Sequence, residues 1–290
     1  MAELAHDHSY PFELNRLSKP AGAEICGLDL TEPLDDVTRD ALIIALLENH
    51  VLAIRDQDLT SDQQMAVTAC FGKPETHVFH DATGGKGPKV HTVNNLDRDG
   101  KPSRRPMTFG SFFWHTDKSY HEIPSFATFL HARELPPEGG DTEFANMYLA
   151  YDALNNEMKD KISDLRAFHS WEANRRNTGN DPATEEEKKV RPPVVHPIVR
   201  THPDTGLKTI YVGIHTDSIE GMDREKGIEL LKQLYRHATQ RQFVYTHQWK
   251  PGDLVVWDNR CLLHRVLGNY EMDKHRRILH RSVVIGTKPE

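Results

Sequence analysis

The chain has 290 residues, and its 43 acidic against 36 basic side chains give a formal charge of −7, which argues against a general nucleic-acid binder. Three scattered cysteines (Cys26, Cys70 and Cys261) make no disulfide framework, and no apolar run approaches the roughly 20 residues that span a bilayer, so no membrane partner is expected. The opening MAELAHDHSYPFELN lacks the basic and apolar regions of a secretory signal, so a soluble cytoplasmic protein is the expectation, folded as a single domain over 1–290.

In chain order, AEICGLDL (23–30) alternates apolar and polar positions and predicts a strand. A helix is expected over 35–50, then a short buried strand at VLAIR (51–55). Thr60 and Gln63 have capping-box spacing and open a helix near 60–71. From Gly72 to Phe113 the pattern weakens into turn-rich sequence, the kind of long loop that often carries function. Further strands are expected at 126–135, 142–146, 195–202, 207–214, 242–249, 253–258 and 277–286, with PDTG (203–206) turning a hairpin. Helical stretches fall near 147–166 and 222–238, and 174–193 reads as a solvated loop or lid. Helices followed by many short strands point to a sandwich or barrel carrying helices.

The chemistry begins at WHTDKSY, where His115 and Asp117 stand two residues apart. Alternate side chains of an extended segment leave one face, so both can reach one ion. His264, in WDNRCLLHR, lies beyond a strand that a β-fold can bring back beside them. Two imidazoles and a carboxylate on one face of Fe(II) leave room for a bidentate 2-oxo acid and O2, whereas a four-ligand zinc site leaves none. With 18 histidines, a lone His-x-Asp pair arises easily by chance, so the set needs a second component. HRRILHR supplies one: Arg277 and Arg281 share a strand face, and an arginine fork suits the distal carboxylate of 2-oxoglutarate. The competing reading is a solvated basic strand edge. Gly139 and Gly140 make a turn before Thr142, Trp114 and Trp257 read as packing, and Cys261 needs no thiol role.

Through GAEICGLDLTEPL, FGKPETH, WHTDKSY, ELPPEGGDTEFANMYLAYDAL, HPIVRTHPDTG, WKPGDLVVWDNRCLLHR and RRILHR, the sequence resembles the taurine dioxygenase and 2,4-dichlorophenoxyacetate dioxygenase family. The resemblance covers nearly the whole length. It implies a mainly β fold with helices: a double-stranded β-helix (jelly roll) core with flanking helices and a long active-site loop. It implies His115, Asp117 and His264 as Fe(2+) ligands, and Thr142 and Arg277 at the distal carboxylate of 2-oxoglutarate. Arg281 and His77 fall at substrate-binding positions. The implied reaction uses 2-oxoglutarate and O2 as co-substrates and hydroxylates a small organic anion, releasing succinate and CO2. The substrate is then a carboxylate such as an aryloxyalkanoate, or a sulfonate, and the hydroxylated product can collapse with cleavage. The remaining readings are hydroxylation of a natural small carboxylic acid without cleavage, and a non-catalytic metal- or anion-binding β-barrel. Partners are expected to be the small anionic substrate and further copies of the chain in a homo-oligomer. The C-terminal third is closer to the phenoxyacetate branch, while 78–113 matches neither branch well.

Overall fold

The computed structural model describes residues 9–75, 90–106 and 109–290. The chain opens with β1 (Glu13–Arg16), β2 (Ala23–Cys26), α1 (Asp36–Asn49), β3 (Val51–Ile54) and α2 (Ser61–Cys70). Then come β4 (His91–Asn94), β5 (Ser125–Glu134), β6 (Thr142–Asn146), α3 (Met147–Asp152), α4 (Asn156–Ile162) and β7 (Arg166–His169). Next are α5 (Trp171–Asn177), α6 (Glu185–Val190), β8 (Val194–Pro197), β9 (Val199–Thr201), β10 (Lys208–Ile210), β11 (Thr216–Ile219) and α7 (Arg224–Ala238). The last strands are β12 (Val244–His247), β13 (Leu254–Asp258), β14 (Leu262–Val266) and β15 (Ile278–Ile285).

A seven-stranded sheet has the order β1-β2-β3-β13-β5-β15-β4, and a three-stranded sheet the order β12-β6-β14. Successive strands β12, β13, β14 and β15 alternate between these two sheets, as a jelly roll requires. The space between them is filled by Leu130, Val255, Trp257 and Leu279 of the large sheet against Phe144, Tyr245 and Leu262 of the small one. On the other face of the large sheet, Ile25, Leu52, Ile54, Phe129 and Val256 meet Leu42 and Leu46 of α1, Val67 of α2 and Phe71 just past its end. A central strand buried on both faces has no reason to alternate, which is why VLAI and LVVW (254–257) are apolar throughout. A third core, built around Ile162, Ile198, Leu230 and Leu234, packs α4 and α7 against the outer side of the small sheet.

The expected capping box is present: Thr60 and Gln63 satisfy each other's backbone groups at the start of α2. The PDTG hairpin joins β9 to β10, with Arg200 opposite Thr209. Several expectations change, among them the strand expected over 207–214, of which only Lys208–Ile210 forms. The stretch 147–166 is not one helix, because Asn155 interrupts it and caps α4 through the Met158 N–H. The run 195–202 divides into β8, paired with β7, and β9, paired with β10. The segment 174–193 holds the end of α5 and all of α6, whose capping box is Thr184 with Glu187. Strands β1 (ELNR) and β4 (HTVN) escape the sequence reading because they are polar edge strands of the large sheet. Among the described residues, no helix is long and apolar enough to cross a membrane.

Candidate active site

His264 faces inward from β14, opposite Phe144 of β6. His115 forms an isolated bridge with it, and their ring centroids lie 4.2 Å apart. The chain then turns at Asp117, with Lys118 left-handed at φ 58°. One donor atom from each of His115, Asp117 and His264 lies within 4.8 Å of the others, a spacing that one metal ion can bridge. His115 Nδ1 is 2.7 Å from the Phe113 carbonyl, so it carries the proton and leaves Nε2 for an ion. Burial lowers both histidines, His264 strongly, and keeps them neutral. Burial alone would raise the Asp117 carboxyl, but the Arg281 charge, together with the Thr128 hydroxyl that donates to it, outweighs burial and holds it well below the usual carboxylate range. Two neutral nitrogens and one anionic oxygen beside an open cavity fit a divalent iron that keeps positions free.

The cavity, about 760 Å³, is lined by the three residues together with Thr142, Arg277 and Arg281. Arg277 is buried, and among the described residues no carboxylate comes within ion-pair distance of it. Its Nε donates to the Gly140 carbonyl at 2.8 Å and one terminal nitrogen donates to Thr142 Oγ1 at 3.3 Å. Its backbone N–H is held by Asn95 Oδ1 at 2.8 Å. Burial drags this guanidinium down to about 10, the mark of a cation without its counter-ion. Thr142 Oγ1 also accepts from Trp249 Nε1 at 3.0 Å. With both those contacts incoming, the hydroxyl proton remains for an acceptor in the cavity. The GGDT glycines are required here. Gly139 and Gly140 sit at φ 72° and 70°, and a Cβ on Gly139 would come 2.3 Å from the Asn269 carbonyl oxygen.

Arg281, inward on β15, has one terminal nitrogen 3.0 Å from Asp117 Oδ1. That nitrogen is buried and lies off any hydrogen-bonding direction, so the contact is Coulombic and its N–H groups keep capacity for another acceptor. Lys118, paired with Glu75, and Tyr120 stand on the same wall. Arg98, Arg105 and Phe109 reach the cavity from the turn-rich region, and Asn174, Arg175 and Asn180 from 174–193, so described parts of both loops line it. His77 lies outside the described residues.

The taurine catabolism dioxygenase TauD, TfdA family matches residues 13–283. The chain belongs to this family. The alpha-ketoglutarate-dependent 2,4-dichlorophenoxyacetate dioxygenase of Cupriavidus pinatubonensis is 38% identical to it over 273 residues, 91% of this chain and 94% of that one. The (S)-phenoxypropionate/alpha-ketoglutarate-dioxygenase of Sphingobium herbicidovorans is 32% identical, over 94% of each. Among solved structures, AAD-2 in complex with Mn(II) and N-oxalylglycine superimposes with a TM-score of 0.86 at 38% identity, over 96% of this chain and 98% of that one. As a TauD/TfdA member the chain is an oxidoreductase, a dioxygenase dependent on Fe(II), 2-oxoglutarate and O2. A non-catalytic barrel is thereby set aside.

Sequence reasoning left Trp249, Thr128 and Asn259 without roles. Trp249 bonds Thr142, while Thr128 and Asn259 bond Asp117. None has a titratable group, and only their partners mark them. Trp114 and Trp257 do pack, and the Trp257 ring also lies 4.7 Å from that of His264. Cys261 is buried and its thiol is pushed far up by burial, as befits an inert packing residue.

Proposed function

We propose that this enzyme hydroxylates a small organic anion, foremost an aryloxyalkanoate, with His115, Asp117 and His264 holding the iron. In this reading Arg277 and Thr142 bind the distal carboxylate of 2-oxoglutarate, and Arg281 takes the anionic group of the substrate. The observation that carries it is Arg277: a buried cation beside the His–Asp–His cluster, with no carboxylate partner among the described residues and facing the same cavity. A buried unpaired charge is costly, and a dicarboxylate co-substrate supplies its missing partner. Bound iron supplies the oxygen chemistry, converting 2-oxoglutarate to succinate and CO2 while a substrate C–H bond is hydroxylated. The protein's share is placement. Arg277 fixes one end of the co-substrate through a charge-assisted fork, and Thr142 adds a hydroxyl proton to the same carboxylate. Arg281, whose terminal nitrogen lies 3.0 Å from a ligand carboxylate, anchors the substrate's anion beside the cluster, which sets the neighbouring carbon toward the ion.

The substrate class draws on relatives named for 2,4-dichlorophenoxyacetate and (S)-phenoxypropionate, at 38% and 32% identity. A relative from Pseudomonas putida named for sulfate esters is 29% identical, so alkyl sulfates belong in the test. The experiment is a screen of aryloxyacetates, aryloxypropionates, alkyl sulfates, sulfonates and short carboxylates. Succinate formation is measured with and without Fe(II), and the anaerobic 2-oxoglutarate–iron absorption is followed as each compound is added. An aryloxyalkanoate should shift that absorption and couple succinate release to phenol release. Turnover of uncharged analogues in preference to every anion would overturn the reading.

A further inference from the structure

We infer that Thr128 and Asn259 are positioning residues that hold Asp117 to a single cavity-facing oxygen. The inference rests on the ligand assignment proposed above. Thr128 points inward from β5, and its Oγ1 lies 2.5 Å from Asp117 Oδ2. Asn259 Nδ2 donates to that same Oγ1 at 2.9 Å. A hydroxyl has one proton, and with the amide N–H arriving at its lone pair, that proton goes to the carboxylate.

The amide cannot be turned the other way. Asn259 Oδ1 accepts from Trp257 Nε1 at 3.0 Å and from the Asp117 backbone N–H at 3.3 Å. Both are obligate donors, so a reversed amide would set N–H against N–H twice. The Asn259 backbone is also pinned: its N–H donates to the Phe126 carbonyl, and its own carbonyl accepts from Thr116 Oγ1, each at 2.8 Å. Thr116, Asp117, Thr128, Trp257 and Asn259 are all buried. One asparagine therefore grips the residue before the ligand, the ligand's backbone, and through Thr128 one of its two carboxylate oxygens.

The consequence concerns coordination number. Asp117 Oδ2 is held against the large sheet, while Oδ1 faces Arg281. Offering both oxygens to an ion would break the Thr128 bond in a dry interior, where an unmade hydrogen bond is expensive. Two imidazoles and one carboxylate oxygen leave three positions, the number that a chelating 2-oxo acid and O2 require. A bidentate carboxylate would take one of these. Thr128 and Asn259 thus keep the ion open by restraining a ligand.

The test uses Mn(II) as probe, with free Mn(II) counted by electron paramagnetic resonance, on the parent, Thr128→Val, Thr128→Ser and His115→Ala. Val matches the volume of Thr but lacks the hydroxyl, and Ser restores it. Thr128→Val should bind Mn(II) roughly 10- to 100-fold more weakly than the parent, the usual range for a lost outer partner of a ligand. Thr128→Ser should retain the parent's affinity, and the metal-free melting temperatures of the two Thr128 variants should not account for the difference. A crystal structure of Mn(II)-loaded Thr128→Val should show Asp117 rotated to offer both oxygens. Parent-like affinity in Thr128→Val, or equal loss in Thr128→Val and Thr128→Ser, overturns the inference while leaving the ligand assignment intact. Parent-like affinity in His115→Ala, or none in the parent, overturns both.

Discussion

The backbones of His115 and His264 bond each other in both directions, N–H to carbonyl, at 3.0 and 2.8 Å. This bridge sets the two imidazoles side by side without help from an ion, so the site is built by the fold. Removing metal with a chelator should therefore leave the far-ultraviolet circular dichroism unchanged. The melting temperature should rise with added Fe(II) or Mn(II) only as mass action dictates. Loss of secondary structure on chelation would contradict a preformed site.

Alanine at His115, Asp117 or His264 should abolish turnover and weaken metal binding by more than roughly 100-fold, beyond the effect of an outer partner. Asp117→Ala carries an added cost, because it strips Arg281 of the carboxylate 3.0 Å away. It should melt lowest of the three when metal-free. Full activity in any one variant removes that residue from the ligand set.

Co-substrate binding tests the second cluster. Arg277→Leu should raise the 2-oxoglutarate requirement by roughly 10- to 100-fold, from about 1.5–3 kcal/mol for a charge-assisted bond. Thr142→Val and Trp249→Phe should act in the same direction but less, since Trp249 only orients the Thr142 hydroxyl. The KM for 2-oxoglutarate at saturating substrate reads all three. An unchanged value in Arg277→Leu would remove it from the co-substrate site.

Arg281→Met addresses the substrate. With a confirmed substrate and its neutral amide, the parent should prefer the anion, and the variant should lose roughly 10- to 100-fold of that preference in kcat/KM. If Arg281 serves only Asp117, metal affinity changes in the variant and the preference does not.

Several buried histidines outside the cluster contribute to the pH dependence, among them His196 and His215. Burial pulls His196 from 6.5 to about 4 and His215 to about 3. The unfolded chain takes up these protons near 6.5 while the folded chain refuses them, so acid favours unfolding. Their stability is fully present above 6.5 and is lost as pH falls toward 4, at about 1.4 kcal/mol per pH unit for each group. Metal-free melting curves at pH 7.5, 5.5 and 4.5 should descend, and a flat profile would refute the assignment.

The strongly patterned elements were legible in the chain alone. The periodicity of α1, the capping box at Thr60 and Gln63, the PDTG hairpin and the apolar runs of β3 and β13 are local, and each formed where read. The residues whose chemistry is carried by their own side chains were equally visible: His115, Asp117, His264, Arg277 and Arg281 belong to few types and stand in telling spacings. Other features depend on what packs nearby. Nothing local marks the edge strands β1 and β4, because they are polar and take their conformation from the sheet beside them. Asn155 divides a helical run because its side chain can cap α4, a choice that periodicity does not see. Thr128, Asn259 and Trp249 gain meaning only from partners far off in sequence, and hydrogen-bond direction is a property of three-dimensional arrangement. The sequence by itself determined a β sandwich or barrel carrying helices and singled out the proposed donor set. Only the tertiary structure decided which oxygen of Asp117 faces the cavity, that Arg281 rests against it, and that Arg277 is buried without a carboxylate among the described residues, because each depends on groups that the sheets bring together after the chain has closed.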